Sequence, residues 1–132
     1  MNTDLFVYGT LLEPRLILAV CGYVGRGAPA TLTGFRRQRV LNAAYPAIVE
    51  DARASVEGVV YQALSRQQLH RLDEYEGEMY ARCPVAVTGL RDGVVRQVYT
   101  YVLRPRFVNR LSDEPWSLDW FHLHHADYSI DD

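Results

Sequence analysis

Between Leu5 and Leu103 the chain is cut into short β-prone runs by Gly, Pro, Asn and Asp, and this punctuation constrains the fold more than any other feature. Leu5-Phe6-Val7-Tyr8 stops at Gly9, as a buried strand does when it enters a tight loop. Further strands are expected at residues 30–33, 35–41, 47–49 and 56–61, then at 82–87 and 94–103 around a turn holding Asp92-Gly93. Helical signals are fewer. Pro14 suits the first turn of a helix running to Cys21, with Gly22 as its stop. Ser65 and Gln68 have the spacing of a capping box, and Leu69, Leu72 and Tyr75 follow on one expected inward face before Gly77. Pro115, Trp116, Trp120 and Leu123 suggest a last amphipathic helix. The first strand, followed by a helix, could cross over to a parallel neighbour. The sum is an α+β fold: a mixed sheet, closed or strongly curled, with helices outside it. Periodicity alone leaves a closed barrel and an open sheet equally open.

Composition narrows the function classes. A chain of 132 residues is the size of one domain, so residues 1–132 are expected to share one core. With 48% hydrophobic and 23% charged residues the chain is ordinarily globular. A net charge of -2 gives no general attraction to phosphate or anionic lipid, which argues against nucleic acid as a partner. Arg36, Arg37 and Arg39 would split between the two faces of a strand and form no basic patch. No apolar run reaches the roughly 20 residues of a membrane span, and no leader pattern precedes the first strand, so a cytoplasmic protein is expected. Two cysteines, Cys21 and Cys83, are too few for a disulfide framework or a zinc site, and reduced thiols are expected.

Several other signals carry little. His122 and His125 share a helical face, but without further ligands at recognisable spacing a solvated or interfacial face is the better reading, and no metal is expected. Gly22, Gly25 and Gly27 lack dinucleotide-binding spacing. No nucleophile elbow is present, and Cys83-Pro84 has no cysteine-protease surroundings. Trp116 and Trp120 read as core packing, and the last helix is compatible with packing within one subunit or between two.

Two segments break the expected rules of polarity. The Tyr8-Gly9-Thr10-Leu11 turn, at the end of a buried strand, can present backbone N–H groups to a carboxylate or an oxyanion, or can be a plain strand-to-helix connection. The acidic run Asp73-Glu74-Tyr75-Glu76-Gly77-Glu78 sits at a helix C-terminus, where negative charge opposes the helix dipole by several tenths of a kcal/mol. One of its carboxylates facing inward would be one reason for it, and a solvated acidic corner is the other reading.

Together these segments resemble the γ-glutamylcyclotransferase-like, or AIG2-like, family. The resemblance rests on Leu5-Phe6-Val7-Tyr8-Gly9-Thr10-Leu11 and on Leu72-Asp73-Glu74-Tyr75-Glu76-Gly77, followed by Tyr80 and Arg82. Tyr45-Pro46-Ala47-Ile48 and Glu57-Gly58-Val59-Val60-Tyr61 lie in order between them, so the likeness covers residues 5–102. It implies a mixed β-barrel with flanking helices and a pocket closed by Tyr8, Gly9, Thr10 and Leu11, which would bind substrate. It also implies that Glu76, the glutamate before the glycine, is the general acid/base, whereas Glu74 and Glu78 do not match that position. The implied reaction cyclises a γ-glutamyl amine or γ-glutamyl amino acid to 5-oxoproline and releases an amine, with no cofactor, a small-molecule γ-glutamyl substrate as partner, no nucleic acid and no membrane, and an oligomeric state left open. Tyr80 and Tyr101 could add hydroxyl contacts, although nine tyrosines make packing the safer expectation. Tyr45, Arg82 and the last helix are candidates for the pocket mouth. Fold likeness leaves a non-catalytic small-ligand-binding domain with the same pocket as the alternative.

Overall fold

The computed structural model describes residues 2–125. Its elements run β1 (Thr3–Val7), a 3₁₀ turn (Thr10–Leu12), α1 (Pro14–Cys21), β2 (Ala28–Val40), β3 (Pro46–Leu64), α2 (Arg66–Glu76), β4 (Tyr80–Gly89) and β5 (Val95–Leu103). A second 3₁₀ segment (Pro105–Arg110), β6 (Leu111–Pro115) and α3 (Leu118–His124) complete the order. The strands lie β3-β1-β5-β4-β2-β6, and β2 also pairs with β3, which closes five of them into a barrel with β6 as a flanking strand.

Every barrel pairing is antiparallel except β1 with β5, where Leu5 stands opposite Tyr99. The expected parallel neighbour of β1 therefore exists, but it is β5 and not the strand that α1 leads into. α1 instead delivers the chain to β2, on the far side of β3, because the extended β2–β3 hairpin leaves only β3 free to pair with β1 on that side.

From Leu5 to Val7, β1 is buried on both faces, which is why that stretch is uniformly apolar. Phe6 and Tyr8 join Ala30, Leu32, Val56, Val60, Val87 and Val98 in a core built from all five barrel strands. Leu5 and Val7 point the other way, into a core shared with Leu16 and Ile17 of α1 and Leu69 and Leu72 of α2. Full burial of each such side chain stabilises the fold by about 1.5–3 kcal/mol relative to exposure.

Where the sequence suggests four short strands between residues 30 and 61, the molecule has two long ones. Gly34, at φ +87°, does not end β2 but bends it. Thr33 pairs with Ser55 and Phe35 with Glu50, so one residue on β2 faces four on β3. The Asp51 carboxylate accepts the Arg53 N–H (3.0 Å), which folds those four into a local turn while the ladder continues on both sides. The outer part of this hairpin leaves the barrel and carries β6 on its edge through Gln38 and Val40.

α3 also differs in detail from its expected face. It begins at Leu118, with Ser117 accepting the Trp120 N–H, so Trp116 precedes the helix. Trp116 and Phe121 are the buried contacts, and Leu123 is 79% exposed. No helix among the described residues is long and apolar enough to cross a membrane.

Candidate functional site

α2 positions the most unusual side chain in the molecule. Its start has both halves of the capping box: Ser65 Oγ accepts the Gln68 N–H at 3.1 Å, and Gln68 Oε1 accepts the Ser65 N–H at 2.9 Å. Its end is set by Gly77 at φ +77°, whose N–H reaches the Asp73 carbonyl at 3.1 Å. Leu69 and Leu72 hold the helix to the barrel, at 5% and 0% exposure. The next position on that stripe, seven residues from Leu69 and four from Leu72, is Glu76. A carboxylate thus stands where the helix would otherwise bury an apolar residue.

Tyr75, expected on the inward face, is instead 47% exposed. Six residues after Leu69 a helix has turned away from the buried stripe, so Tyr75 lies beside the site, its phenol pKa raised chiefly by partial burial.

Glu76 lines a small pocket, partly open to solvent, with Phe6, Val7, Tyr8, Gly9, Thr10, Leu11, Tyr45, Pro46, Tyr80 and Tyr101. Glu76 and the four residues of the first-strand turn, singled out far apart in sequence, therefore share one cavity. Glu76 is the pocket's one ionised-type side chain besides phenols. Its pKa is pushed up to about 8, first by loss of solvent around the carboxyl and then by the negative charge of Asp73. Among the described residues no donor hydrogen-bonds to that carboxyl, which is half-buried and meets solvent through the pocket mouth.

The other acids of the run are occupied elsewhere. Asp73 accepts from Arg82 Nε (2.9 Å) and Nη2 (3.2 Å) and from the Tyr101 hydroxyl (2.7 Å). Glu74 lies 3.2 Å from His70 and Glu78 3.6 Å from Arg106, both at the surface. One run of sequence therefore yields a solvated corner and a single inward carboxyl together.

The phenols around Glu76 remain protonated. Burial raises the Tyr8 pKa well above its ordinary value, with Tyr80 and Glu76 adding to the effect. Tyr80 and Tyr101 are raised for the same primary reason. Their hydroxyls donate to fixed acceptors: Tyr8 to the Tyr101 carbonyl (2.6 Å) and Tyr80 to the Pro46 carbonyl (2.8 Å). Tyr80 and Tyr101, set aside on frequency alone, are thus pocket walls, and Tyr45 is the half-exposed residue at the rim. Arg82 does not line the pocket; it reaches it only through Asp73.

The turn opposite Glu76 is a 3₁₀ bend whose first internal bonds are Leu12 N–H to the Gly9 carbonyl (2.9 Å) and Glu13 N–H to the Thr10 carbonyl (3.0 Å). The amides of Gly9, Thr10 and Leu11 precede those bonds and have no partner within the bend. Gly9 is dictated by proximity: a Cβ there would sit 2.9 Å from Pro46 Cδ and Cγ. Of the discounted arginines, Arg36 pairs with Asp51 and Arg39 with Glu114, while Arg37 turns inward. Among the described residues no three His, Cys, Asp or Glu side chains converge as metal ligands; His122 lies 3.1 Å from Glu13.

Known proteins share the family and the fold. The family model described as gamma-glutamyl cyclotransferase, AIG2-like, matches residues 5–121. AIG2-like protein C of Arabidopsis thaliana is 37% identical over 99 residues, covering 75% of this chain and 58% of that protein, so the match spans less than two-thirds of that relative. A solution structure of an Arabidopsis thaliana protein is similar at TM-score 0.75 and 28% identity, over 94% of this chain and 83% of the other. A structure described as a gamma-glutamyl cyclotransferase shares the fold at TM-score 0.69 and 20% identity, over 81% and 74% of the two chains.

Proposed function

The chain belongs to the gamma-glutamyl cyclotransferase, AIG2-like family, and from that premise we propose that it converts a γ-glutamyl amine or γ-glutamyl amino acid to 5-oxoproline and a free amine. The observation that carries the proposal is the desolvated Glu76 carboxyl, which shares a cavity with the amide-bearing turn at Tyr8, Gly9, Thr10 and Leu11.

The reaction is intramolecular. The substrate's α-nitrogen attacks its own γ-carbonyl carbon, one C–N bond forms, and the bond to the departing amine breaks. Holding both reacting groups in one small molecule can contribute about 7–11 kcal/mol when they are well oriented. The protein's task is the proton. The substrate arrives as an α-ammonium, which has no lone pair to attack with. Glu76 takes that proton and passes it to the departing nitrogen. It then takes the second proton that the attacking nitrogen sheds as the lactam forms and passes that on as well. The amine leaves as an ammonium, Glu76 ends as it began, and the proton count closes without water.

Its pKa of about 8 suits that task. A γ-glutamyl α-amine, beside its own carboxylate, titrates somewhat above a peptide α-amine, so transfer to Glu76 is only modestly uphill. Glu76 and the amine must share one proton in the reactive complex, so kcat/KM passes through a maximum between the pKa values of the two groups. The amides of Gly9, Thr10 and Leu11 bind either the substrate α-carboxylate or the oxygen that gains charge as the ring closes. The chemistry calls for no metal or cofactor. A cytosolic setting is part of the same proposal, in keeping with the free thiols of Cys21 and Cys83.

The test is a panel of γ-glutamyl compounds assayed for 5-oxoproline with wild type and Glu76→Gln. Turnover of at least one compound is expected, falling by about 10²–10⁴ in the variant. Saturable binding with the ligand recovered unchanged would instead mark a binding domain, and equal turnover in both proteins would remove Glu76 from the chemistry.

A further inference from the structure

Arg37 belongs to a basic run that the pocket does not account for, and its contacts are unlike those of its neighbours. Arg36 and Arg39 pair with the carboxylates of Asp51 and Glu114. The Arg37 guanidinium makes no close ion pair among the described residues, although the Glu57 charge is felt there; its Nη1 donates to two main-chain carbonyls, of Tyr8 (2.7 Å) and of Glu57 (3.2 Å). Its Cζ lies over the ring of Trp116, 5.4 Å from the ring centre, and Trp116 is 2% exposed and anchored by its indole N–H to the Ala44 carbonyl (2.8 Å). Burial lowers its pKa, so placing a cation here carries a desolvation cost.

The bond to Tyr8 has a directional consequence. In a trans peptide the carbonyl and the following N–H point in opposite directions. Fixing the Tyr8 carbonyl on the Arg37 side fixes the Gly9 N–H on the other. The charged donor also polarises the peptide, which strengthens the Gly9 N–H as a donor. Tyr61 ties the turn at its far end, its hydroxyl donating to the Leu11 carbonyl at 3.2 Å.

Resting on the cyclotransferase reading of the pocket, we propose that Arg37 is a positioning residue: bridging the Tyr8 and Glu57 carbonyls and stacked on Trp116, it aims and polarises the Gly9 amide that receives the substrate's negative oxygen. Arg37 itself lies behind the turn and touches no reacting atom. Its work is done through one peptide group, so its loss leaves the pocket and Glu76 in place and mis-aims a single donor.

Arg37→Met, Arg37→Lys and Arg39→Met are compared with wild type by amide NMR and by 5-oxoproline release. The nitrogen shift of Gly9 reports hydrogen bonding at the Tyr8 carbonyl whatever the protein's substrate. In Arg37→Met the Gly9 resonance is expected to move or double, and kcat to fall by about 10² while the variant stays folded. Arg37→Lys, which keeps one charged donor but cannot bridge both carbonyls or stack as a plane, should recover part of both effects. Arg39→Met should leave Gly9 unmoved. An unchanged Gly9 resonance in folded Arg37→Met overturns the proposal, as does full kcat in that variant. Absence of 5-oxoproline release by wild type would overturn the reaction assignment instead, and with it the catalytic half of the proposal, while the resonance still decides the clamp.

Discussion

An acidic side chain lies near each end of the β4–β5 hairpin, Glu76 at the close of α2 just before one end and Asp92 in the turn at the other, and the two have been driven in opposite directions. At the end where Tyr80 pairs with Leu103, the Glu76 carboxyl is pushed up to about 8. At the turn end, the Asp92 carboxyl is held down to about 2 by Arg96, at 2.7 Å, and by the Val94 N–H, at 3.0 Å. Asp92 stands in water with a cation and an amide, and both stabilise its charge. Glu76 is half-buried, with much of its water replaced by the pocket walls and Asp73 nearby, and both disfavour its charge. The difference is environment and not residue type, and it separates an acid that secures a turn from an acid poised to move a proton.

The sharpest way to break this contrast is to remove the Glu76 charge. Glu76→Gln should lose turnover by about 10²–10⁴ and gain stability. The sign follows from the raised pKa. Folded protein binds the Glu76 proton up to about pH 8, and unfolded chain releases it near the ordinary value of 4.5, so folding is favoured below that lower value and the advantage is lost as pH rises through about 8. The variant, which has no proton to lose, should therefore exceed wild type in stability by a few kcal/mol near pH 9 and by little near pH 4. Urea melts at the two pH values measure this. Equal differences at both would mean that Glu76 titrates as though in water.

Gly9→Ala tests the opposite wall. The new methyl would stand 2.9 Å from the Pro46 ring, closer than such contacts occur, so the turn must shift away from the pocket. Turnover should fall by about 10² and stability by about 1–3 kcal/mol. A fully active Gly9→Ala protein would show that the turn's position is immaterial.

A smaller effect is expected from Asp73→Asn. The amide can still accept from Tyr101 and Arg82, but the charge that helps to hold the Glu76 pKa up is gone. The acidic limb of kcat/KM should move to lower pH with the fold intact. A limb that stays in place would assign the Glu76 shift to desolvation alone.

Much of this site is legible in local sequence, for a physical reason. The capping box at Ser65, the stop at Gly77 and the short apolar run ending at Gly9 are all written within a few residues, where hydrogen bonds and φ angles are decided. Even the inward direction of Glu76 is visible once the stripe is continued from Leu69 and Leu72 by four residues and not by three, which would lead to Tyr75. The merging of 30–33 with 35–41 is not local: Gly34 reads as a strand end, and only the Asp51 turn on the opposite strand lets the ladder resume beyond it. Asp73 is hidden for a similar reason. Its partners Arg82 and Tyr101 face each other across β4 and β5, a pairing that appears only when the hairpin closes.

The smallest expected effect belongs to the other end of that hairpin. Asp92→Asn keeps an oxygen to accept the Val94 N–H and removes only the charge facing Arg96. A carboxyl with a depressed pKa stabilises the fold above its ordinary value of 3.8, and that contribution is lost as pH falls through about 2. Both partners are exposed, so water and salt screen the pair and its contribution is slight. Wild type and variant should melt within a degree or so of each other near pH 7 and converge near pH 2, with the kcat/KM profile unmoved. A shifted profile in Asp92→Asn would show that the charge at the turn is felt along the whole hairpin, and the two ends could no longer be treated as independent electrostatic sites.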